Sequence, residues 1–190
     1  KLFTLDLVSG TINTGPNLFS FTSISSQEGG TFNCGSGATV FFDTGNFTQS
    51  GGTFNCQNGT FDSSTINLVL NGGTFNAPSG TMTLGTVFGN NFTISASATF
   101  NHDNGTIVVG GGEFVWTNGG GVLDVNNFTS NMTSRLSVNT NRIRVLGTLT
   151  LNDGDIEVMG IEAQGNVAVA TGFGSGNGSN AGGGPLQITG

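Results

Sequence analysis

Basic residues are almost absent from this sequence, and their scarcity excludes one large class of partners. Only Lys1, Arg135, Arg142 and Arg144 are basic among 190 residues. Eleven residues are acidic, so the formal charge is −7 and the isoelectric point is near 4.1. Nucleic-acid binding needs clustered lysine and arginine to neutralise phosphates, and a basic helix on a membrane surface needs the same residues. We therefore expect no nucleic-acid partner and no peripheral membrane helix.

Long apolar runs and the usual catalytic side chains are missing as well. No stretch of 18 apolar residues occurs, so the sequence predicts no transmembrane helix. His102 is the one histidine, and a catalytic base would need a nucleophile and an orienting partner that the sequence does not offer. Cys34 and Cys56, with no other ligand residue nearby, make a poor metal site. These absences favour a protein that is not an enzyme and that holds no cofactor or metal.

Glycine and phenylalanine are abundant, and they recur at a fixed spacing. There are 34 glycines and 16 phenylalanines but no tyrosine. The block Gly-Gly-Thr-Phe-Asn occurs at residues 29–33, 51–55 and 72–76, and a degenerate copy, Ala-Thr-Phe-Asn, spans 98–101. Its phenylalanines are 22, 21 and 25 residues apart. A recurrence of this length indicates one structural unit stacked on copies of itself.

Within each repeat, the apolar residues follow a step of seven. Phe54, Phe61, Leu68, Phe75 and Met82 are each seven residues apart. An α-helix is excluded because the positions between them are mainly glycine, threonine, asparagine and serine. Apolar and polar residues also alternate locally with the period of a β-strand. Three seven-residue segments make one circuit of 21. The sequence therefore predicts an all-β, right-handed, three-sided parallel β-helix of 21–25 residues per coil.

In the predicted β-helix, each recurring string is expected on one of the three sides. One side carries the Thr-Phe-Asn strands, whose rings form an inward column and whose asparagines end the strand, accept a left-handed backbone and bond to the copies above and below. The members of these two columns are Phe32, Phe54, Phe75 and Phe100, and Asn33, Asn55, Asn76 and Asn101. Another side carries the Asn-Phe-Thr strings at 46–48, 91–93 and 127–129. The glycine pair before each Thr-Phe-Asn strand is expected to form a corner.

We expect one solenoid domain over residues 1–190. The stretch at 172–184 is almost entirely glycine, serine, asparagine and alanine, and it predicts a long loop. Strand pattern runs to both ends of the sequence. This favours a piece of a longer polypeptide or assembly.

The strings at 72–84, Gly-Gly-Thr-Phe-Asn-Ala-Pro-Ser-Gly-Thr-Met-Thr-Leu, and at 99–109, Thr-Phe-Asn-His-Asp-Asn-Gly-Thr-Ile-Val-Val, resemble the repeats of large secreted or surface-anchored bacterial β-solenoid proteins. The resemblance covers about residues 20–109 and is weaker beyond. It is specific for architecture and implies an exported protein with a structural or adhesive role.

Cys34 and Cys56 directly follow Thr-Phe-Asn in successive coils, so they should be stacked neighbours. The distance between coils is within disulfide reach. Two alternatives follow. The cysteines form a disulfide bond between coils, as an oxidising extracellular setting would allow, or they remain a reduced pair of half-buried thiols.

Two further site predictions concern the outer surface. Asp43 and Asp62 fall near equivalent positions one coil apart, and Trp116 is the one indole that could stack on a sugar, which together favour a carbohydrate-binding or carbohydrate-cleaving β-helix. Outward threonine rows could instead form a flat ice-binding face.

The leading prediction is a structural extracellular protein, a building block of a surface fibre, sheath or adhesin. Its expected partners are copies of itself stacked end to end, neighbouring solenoid segments and surface glycans. The physical basis is that stacked coils expose open strand edges at both ends.

Overall fold

The computed structural model describes residues 2–85, 89–119, 121–139, 142–158, 161–171, 173 and 186–189. Every regular element in this part of the chain is a β-strand, and every pair of neighbouring strands is parallel. The chain winds through about seven turns of about 21 residues each. The predicted three-sided parallel β-solenoid is confirmed. The expected loop at 172–184 lies outside the described residues except for Phe173.

The strands are numbered along the chain. They are β1 Leu2–Phe3, β2 Asp6–Leu7, β3 Thr11–Asn13, β4 Leu18–Phe21, β5 Ser25–Gln27, β6 Thr31–Asn33, β7 Thr39–Phe42, β8 Asn46–Gln49, β9 Thr53–Asn55, β10 Thr60–Ser63, β11 Asn67–Leu70, β12 Gly73–Asn76, β13 Thr81–Leu84, β14 Asn90–Ile94, β15 Ala98–Asn101, β16 Thr106–Asn118, β17 Leu123–Val125, β18 Asn127–Asn139, β19 Ile143–Val145, β20 Leu149–Val158, β21 Ile161–Ala163, β22 Val167–Val169 and β23 Leu186–Ile188.

Three walls arise because every third strand pairs. The first wall stacks β1, β4, β7, β10 and β13, the second stacks β2, β5, β8, β11 and β14, and the third stacks β3, β6, β9, β12 and β15. Further along, β16, β18 and β20 are long enough to cross the corner, so each contributes to both the first and the second wall. A register shift between Gly111 and Glu113 makes the bend in this pairing.

The third wall is broken once. Its first five strands end at β15, and a separate sheet of β17, β19, β21 and β23 follows. No ladder joins β15 to β17 in the described chain, although the other two walls continue past this level. We call this break the seam. One string also falls on a different wall from the predicted one. Asn127-Phe128-Thr129 pairs with Thr106-Ile107-Val108 on the first wall, because β17 of the third wall directly precedes it in the chain.

Aromatic rings fill the core between the walls. Phe32, Phe54 and Phe75 are buried and nearly parallel, with centroids 4.7 and 5.3 Å apart. Phe100 continues the column 6.0 Å beyond Phe75 but is only half-buried. Each fully buried ring stabilises the fold by about 2–3 kcal/mol through the hydrophobic effect.

The two glycines of each corner are needed for different reasons. Gly52 and Gly73 have φ of 69° and 75°, where residues with a side chain are strained. A Cβ at Gly51 would clash with the carbonyl oxygen of Glu28 in the preceding coil, so this position needs space. The coils therefore contact each other backbone to backbone at the corner.

The predicted left-handed backbone conformation of the four asparagines is wrong. Asn33, Asn55, Asn76 and Asn101 are strand residues, and only Gln57, Asp103 and Asn104 have positive φ among the described residues other than glycine. The turn falls later in the sequence, at residues 57 and 103–104. The asparagines keep extended backbone because their peptide groups take part in the ladder of the third wall.

Candidate functional site

A ladder of asparagine amides runs along the outside of the third wall. Asn33 donates from Nδ2 to Oδ1 of Asn13 at 2.8 Å, and Asn55 donates to Asn33 at 2.6 Å. Asn76 donates to Asn55, and Asn101 donates to Asn76 at 2.6 Å. Every bond points toward the N-terminal coil. The ladder therefore ends with amide hydrogens at Asn13 and with a carbonyl oxygen at Asn101.

A second set of amides is buried at the corner between the second and third walls. Gln27 and Gln49 are fully buried and directly opposite each other in the second wall. Gln49 donates from Nε2 to the carbonyl oxygens of Gly51, Gly52 and Thr74 at 3.3, 3.4 and 3.0 Å. Its Oε1 has no partner in the described chain. The motif Gln-X-Gly-Gly, at 27–30 and 49–52, was the available signal, and sequence reasoning missed it.

Cys34 and Cys56 are both buried free thiols in the structure, which is the reduced alternative. Burial raises the pKa of the Cys56 thiol well above its usual value, and its hydrogen bond with Cys34 raises it further. A protonated, buried thiol is a poor nucleophile and a poor metal ligand.

The predicted sugar contact at Trp116 is wrong. Trp116 is fully buried beside Phe92, with ring centroids 4.8 Å apart, and it occupies the inward column of the second wall. Strand alternation explains this, because Phe114 and Trp116 are two residues apart and share the inward face. The indole N–H has no partner in the described chain.

Asp43 and Asp62 are offset by two positions in the first wall, so they are not directly opposite each other. Asp62 lies opposite Phe41 in the ladder, two positions away from Asp43. Its Oδ1 accepts a hydrogen bond from the Ser64 N–H at 2.9 Å, which fastens a turn, and Asp43 is exposed.

The arginines of the C-terminal half each bind an acid one coil away. Arg144 makes two bonds of 2.7 Å to Asp124, and Arg142 makes one of 2.9 Å to Glu162. Arg135 pairs with Glu113. The hydrogen bonds that Arg144 donates to Asp124 raise the pKa of Arg144, while hydrogen bonds donated by Gln164 and then by Arg142 lower the pKa of Glu162. Around β17, β19 and β21, the pairs of Arg144 and Arg142 join successive coils as the asparagine amides do between β3 and β15.

A cavity of about 480 Å³ lies at the seam. Phe100, Asn101 and the turn 102–104 line one side, and residues 122–124 line the other. The turn is strained, since Asp103 and Asn104 have φ of 44° and 60°. His102 accepts a hydrogen bond at Nδ1 from the Asn104 N–H at 3.1 Å, so its ring fastens the turn.

A second cavity, of about 210 Å³, opens the core at the N-terminal end of the described coils. It is lined mainly by apolar side chains, among them Leu5, Ile12, Phe19 and Phe21. Ile12 and Phe19 are only half-buried, although Phe32 in the next coil is 1% exposed. The first described coil therefore buries these side chains less than the next coil buries Phe32.

Within the described ranges, no three histidine, cysteine or acidic side chains come together as metal ligands would. The same part of the chain contains no helix with the length and apolar character needed to cross a bilayer. No family model matches the sequence, and neither a curated protein nor a solved structure is detectably similar to the chain.

Proposed function

We propose that the chain is a structural, non-catalytic β-solenoid of an extracellular surface fibre, sheath or adhesin, and that its end coils pair with coils of another copy or of a neighbouring solenoid segment. Its repeats resemble those of exported bacterial solenoids. Its walls are joined coil to coil by backbone ladders and by side-chain amides, an arrangement that suits a rigid spacer.

The observation that carries the proposal is the pairing edge of the first described coil. Within the described residues, β1, β2 and β3 each pair on one side only, so their other edges can accept a further coil. The apolar cavity beside Ile12 and Phe19 lies at the same end. A further coil stacked on this end would satisfy the edges and cover the rings at once.

Exposed large apolar side chains support the same conclusion by their distribution. They fall in the first coils, at the seam and in the last coils: Val8, Leu18, Ile24, Val122, Leu146, Val169 and Ile188. None lies between residues 25 and 121 of the described chain. Over this stretch the described sides of the rod carry no fully exposed large apolar side chain. Association through the ends is favoured over association side by side.

The test is a pair of charge variants on one strand. Ile12→Glu places a carboxylate in the first described coil, while the matched control Thr11→Glu places the same charge on the exposed outer face next to it. We expect the parent chain and Thr11→Glu to form elongated oligomers at high concentration, by light scattering and electron microscopy, and Ile12→Glu to remain a monomer.

A parent chain that stays monomeric at every concentration would overturn self-association and leave a stalk or adhesin segment. Location is tested separately, with antibodies on intact and permeabilised source cells. Labelling that needs permeabilisation would contradict an extracellular role.

Ice binding is a second candidate, and one arrangement favours it. Threonines stand in register on all five strands of the third wall, next to the asparagine ladder; they are Thr11, Thr31, Thr53, Thr74 and Thr99. Thermal hysteresis of a dilute solution tests it, with Thr53→Lys as the disrupting variant and Thr60→Lys on the first wall as its control. No hysteresis in the parent chain would end this candidate.

A further inference from the structure

Strand β15 presents an unused pairing edge to the seam. The Ala77 N–H donates to the carbonyl oxygen of Asn101 at 2.9 Å, so the peptide groups of Asn101 face β12. Successive residues of a parallel strand bond to opposite sides. The N–H and C=O of Phe100 therefore point into the seam, where no described strand pairs with them.

Strand β17 presents a matching edge from the other side. The Leu123 N–H donates to Arg142 O at 3.0 Å, and the Leu146 N–H donates to Val125 O at 2.9 Å. The backbone N–H and C=O groups of Leu123 and Val125 therefore point toward β19. The same alternation turns the N–H and C=O of Asp124 toward the seam. Two strand edges thus face each other across the 480 Å³ cavity.

Side chains at the seam continue the pattern of the third wall and then stop. The ring of Phe100 stacks on Phe75 and is only half-buried, whereas Phe75 is fully buried. Asn101 donates to Asn76, and its own Oδ1 is left as the terminal acceptor of the asparagine ladder. The seam therefore offers a ring face and an amide acceptor in the register of a further Thr-Phe-Asn strand.

We propose that the seam binds one extended peptide strand of the Thr-Phe-Asn type, supplied by a partner polypeptide, as an added parallel strand of the third wall. Its aromatic ring stacks on Phe100, its asparagine donates to Oδ1 of Asn101, and its backbone pairs with Phe100 and Asp124.

Hydrogen-bond and charge complementarity favour this occupant. An extended peptide offers N–H and C=O groups at strand spacing, as the two edges require, and a sugar does not. The carboxylate of Asp103 at the rim of the cavity disfavours an acidic peptide, while that of Asp124 is already held by Arg144. The bound strand would continue the ladder that already joins β3 to β15. This inference does not depend on end-to-end association.

The probe is a capped, fluorescently labelled peptide with the sequence of residues 72–77, Gly-Gly-Thr-Phe-Asn-Ala, titrated into the full chain. We expect saturable binding of one peptide per chain by fluorescence anisotropy. Replacing its phenylalanine by alanine removes the stacked ring. Methylating the backbone nitrogen of its asparagine removes the N–H that would donate to the carbonyl oxygen of Phe100. Each change should weaken binding at least tenfold.

Two chain variants locate the site, since they sit at opposite ends of one amide ladder. Asn101→Ala removes the acceptor at the seam, and the matched control Asn13→Ala also removes one ladder bond but lies at the far end. We expect at least tenfold weaker binding for Asn101→Ala and unchanged binding for Asn13→Ala. Bound peptide should also slow hydrogen exchange at the amides of Phe100 and Asp124.

Four results would overturn the proposal. They are absence of binding, equal binding by the N-methylated peptide, loss of affinity in Asn13→Ala instead of Asn101→Ala, and displacement of the peptide by neutral oligosaccharides at equal concentration. The third would place the peptide at the end of the rod, and the fourth would make the seam a sugar site.

Discussion

Single residues of the strand Thr53–Asn55 divide three tasks between them. Thr53 faces outward, Phe54 is fully buried, and Asn55 places its amide in the outer ladder. The division follows from strand alternation, since neighbouring side chains point to opposite faces. A substitution should therefore have an effect set by the face on which it falls.

Phe54→Ala should lower the free energy of unfolding by about 3–5 kcal/mol, because the ring contacts Phe32 and Phe75 and leaves a cavity between them. Thr53→Ala on the same strand is the control and should change it by less than about 0.5 kcal/mol. Urea denaturation measures both. An unchanged midpoint for Phe54→Ala would show that the ring is not packed as described.

Gln49 offers a sharper residue-scale test, since its amide donates to three carbonyl oxygens in a buried corner. In Gln49→Glu, a carboxylate would face those carbonyl oxygens without the N–H groups that bond to them. Burial and the nearby oxygens both disfavour its charged form, so its pKa should be raised. A raised pKa in the folded state means that stability is retained at low pH and lost as pH rises through that pKa. We expect the variant to unfold more readily at pH 7 than at pH 4.

The parent chain is the reference for this variant, together with Gln49→Leu, which copies the residue at the equivalent position, Leu70. Gln49→Leu should not lose stability relative to the parent chain between pH 4 and pH 7. Equal unfolding midpoints for Gln49→Glu at the two pH values would contradict the buried position of the amide.

At the scale of elements, the third wall is held by its backbone ladder and by the asparagine amides alongside. Asn55 both donates to Asn33 and accepts from Asn76, whereas Asn13 only accepts. One net hydrogen bond contributes about 0.5–1.5 kcal/mol. Asn55→Ala should therefore cost about twice as much stability as Asn13→Ala, measured by urea denaturation. Equal costs would mean that the amides do not act as a ladder.

The elements differ in how far the sequence could predict them. Strands β6, β9 and β12 were predictable because alternation and a 21-residue recurrence are local signals, carried by Phe32, Phe54 and Phe75. Trp116 was misplaced because it was read as an isolated surface indole, although it lies two residues from Phe114 on the long strand β16 and shares its inward face. The seam had no local signal, since it depends on the relative offset of β15 and β17 while the other walls stay in register.

At the scale of the whole molecule, the seam divides a rod whose other two walls are continuous. Backbone amides should report this directly. We expect the amides of Phe100 and Asp124 to exchange with solvent much faster than those of Phe75 and Arg144, which lie in strands paired on both sides. Hydrogen exchange followed by NMR measures it. Equal protection would show that a ladder closes the seam.

The glycine corners have a consequence for how such a chain can change in length. Because Gly51 and Gly72 rest against the backbone of the preceding coil, the fit between coils there depends little on which side chains that coil carries. One coil is thus an interchangeable module on the N-terminal side of the seam. Duplicating residues 51–71 in the gene would lengthen the rod by one rise of about 4.8 Å without redesigning either neighbour.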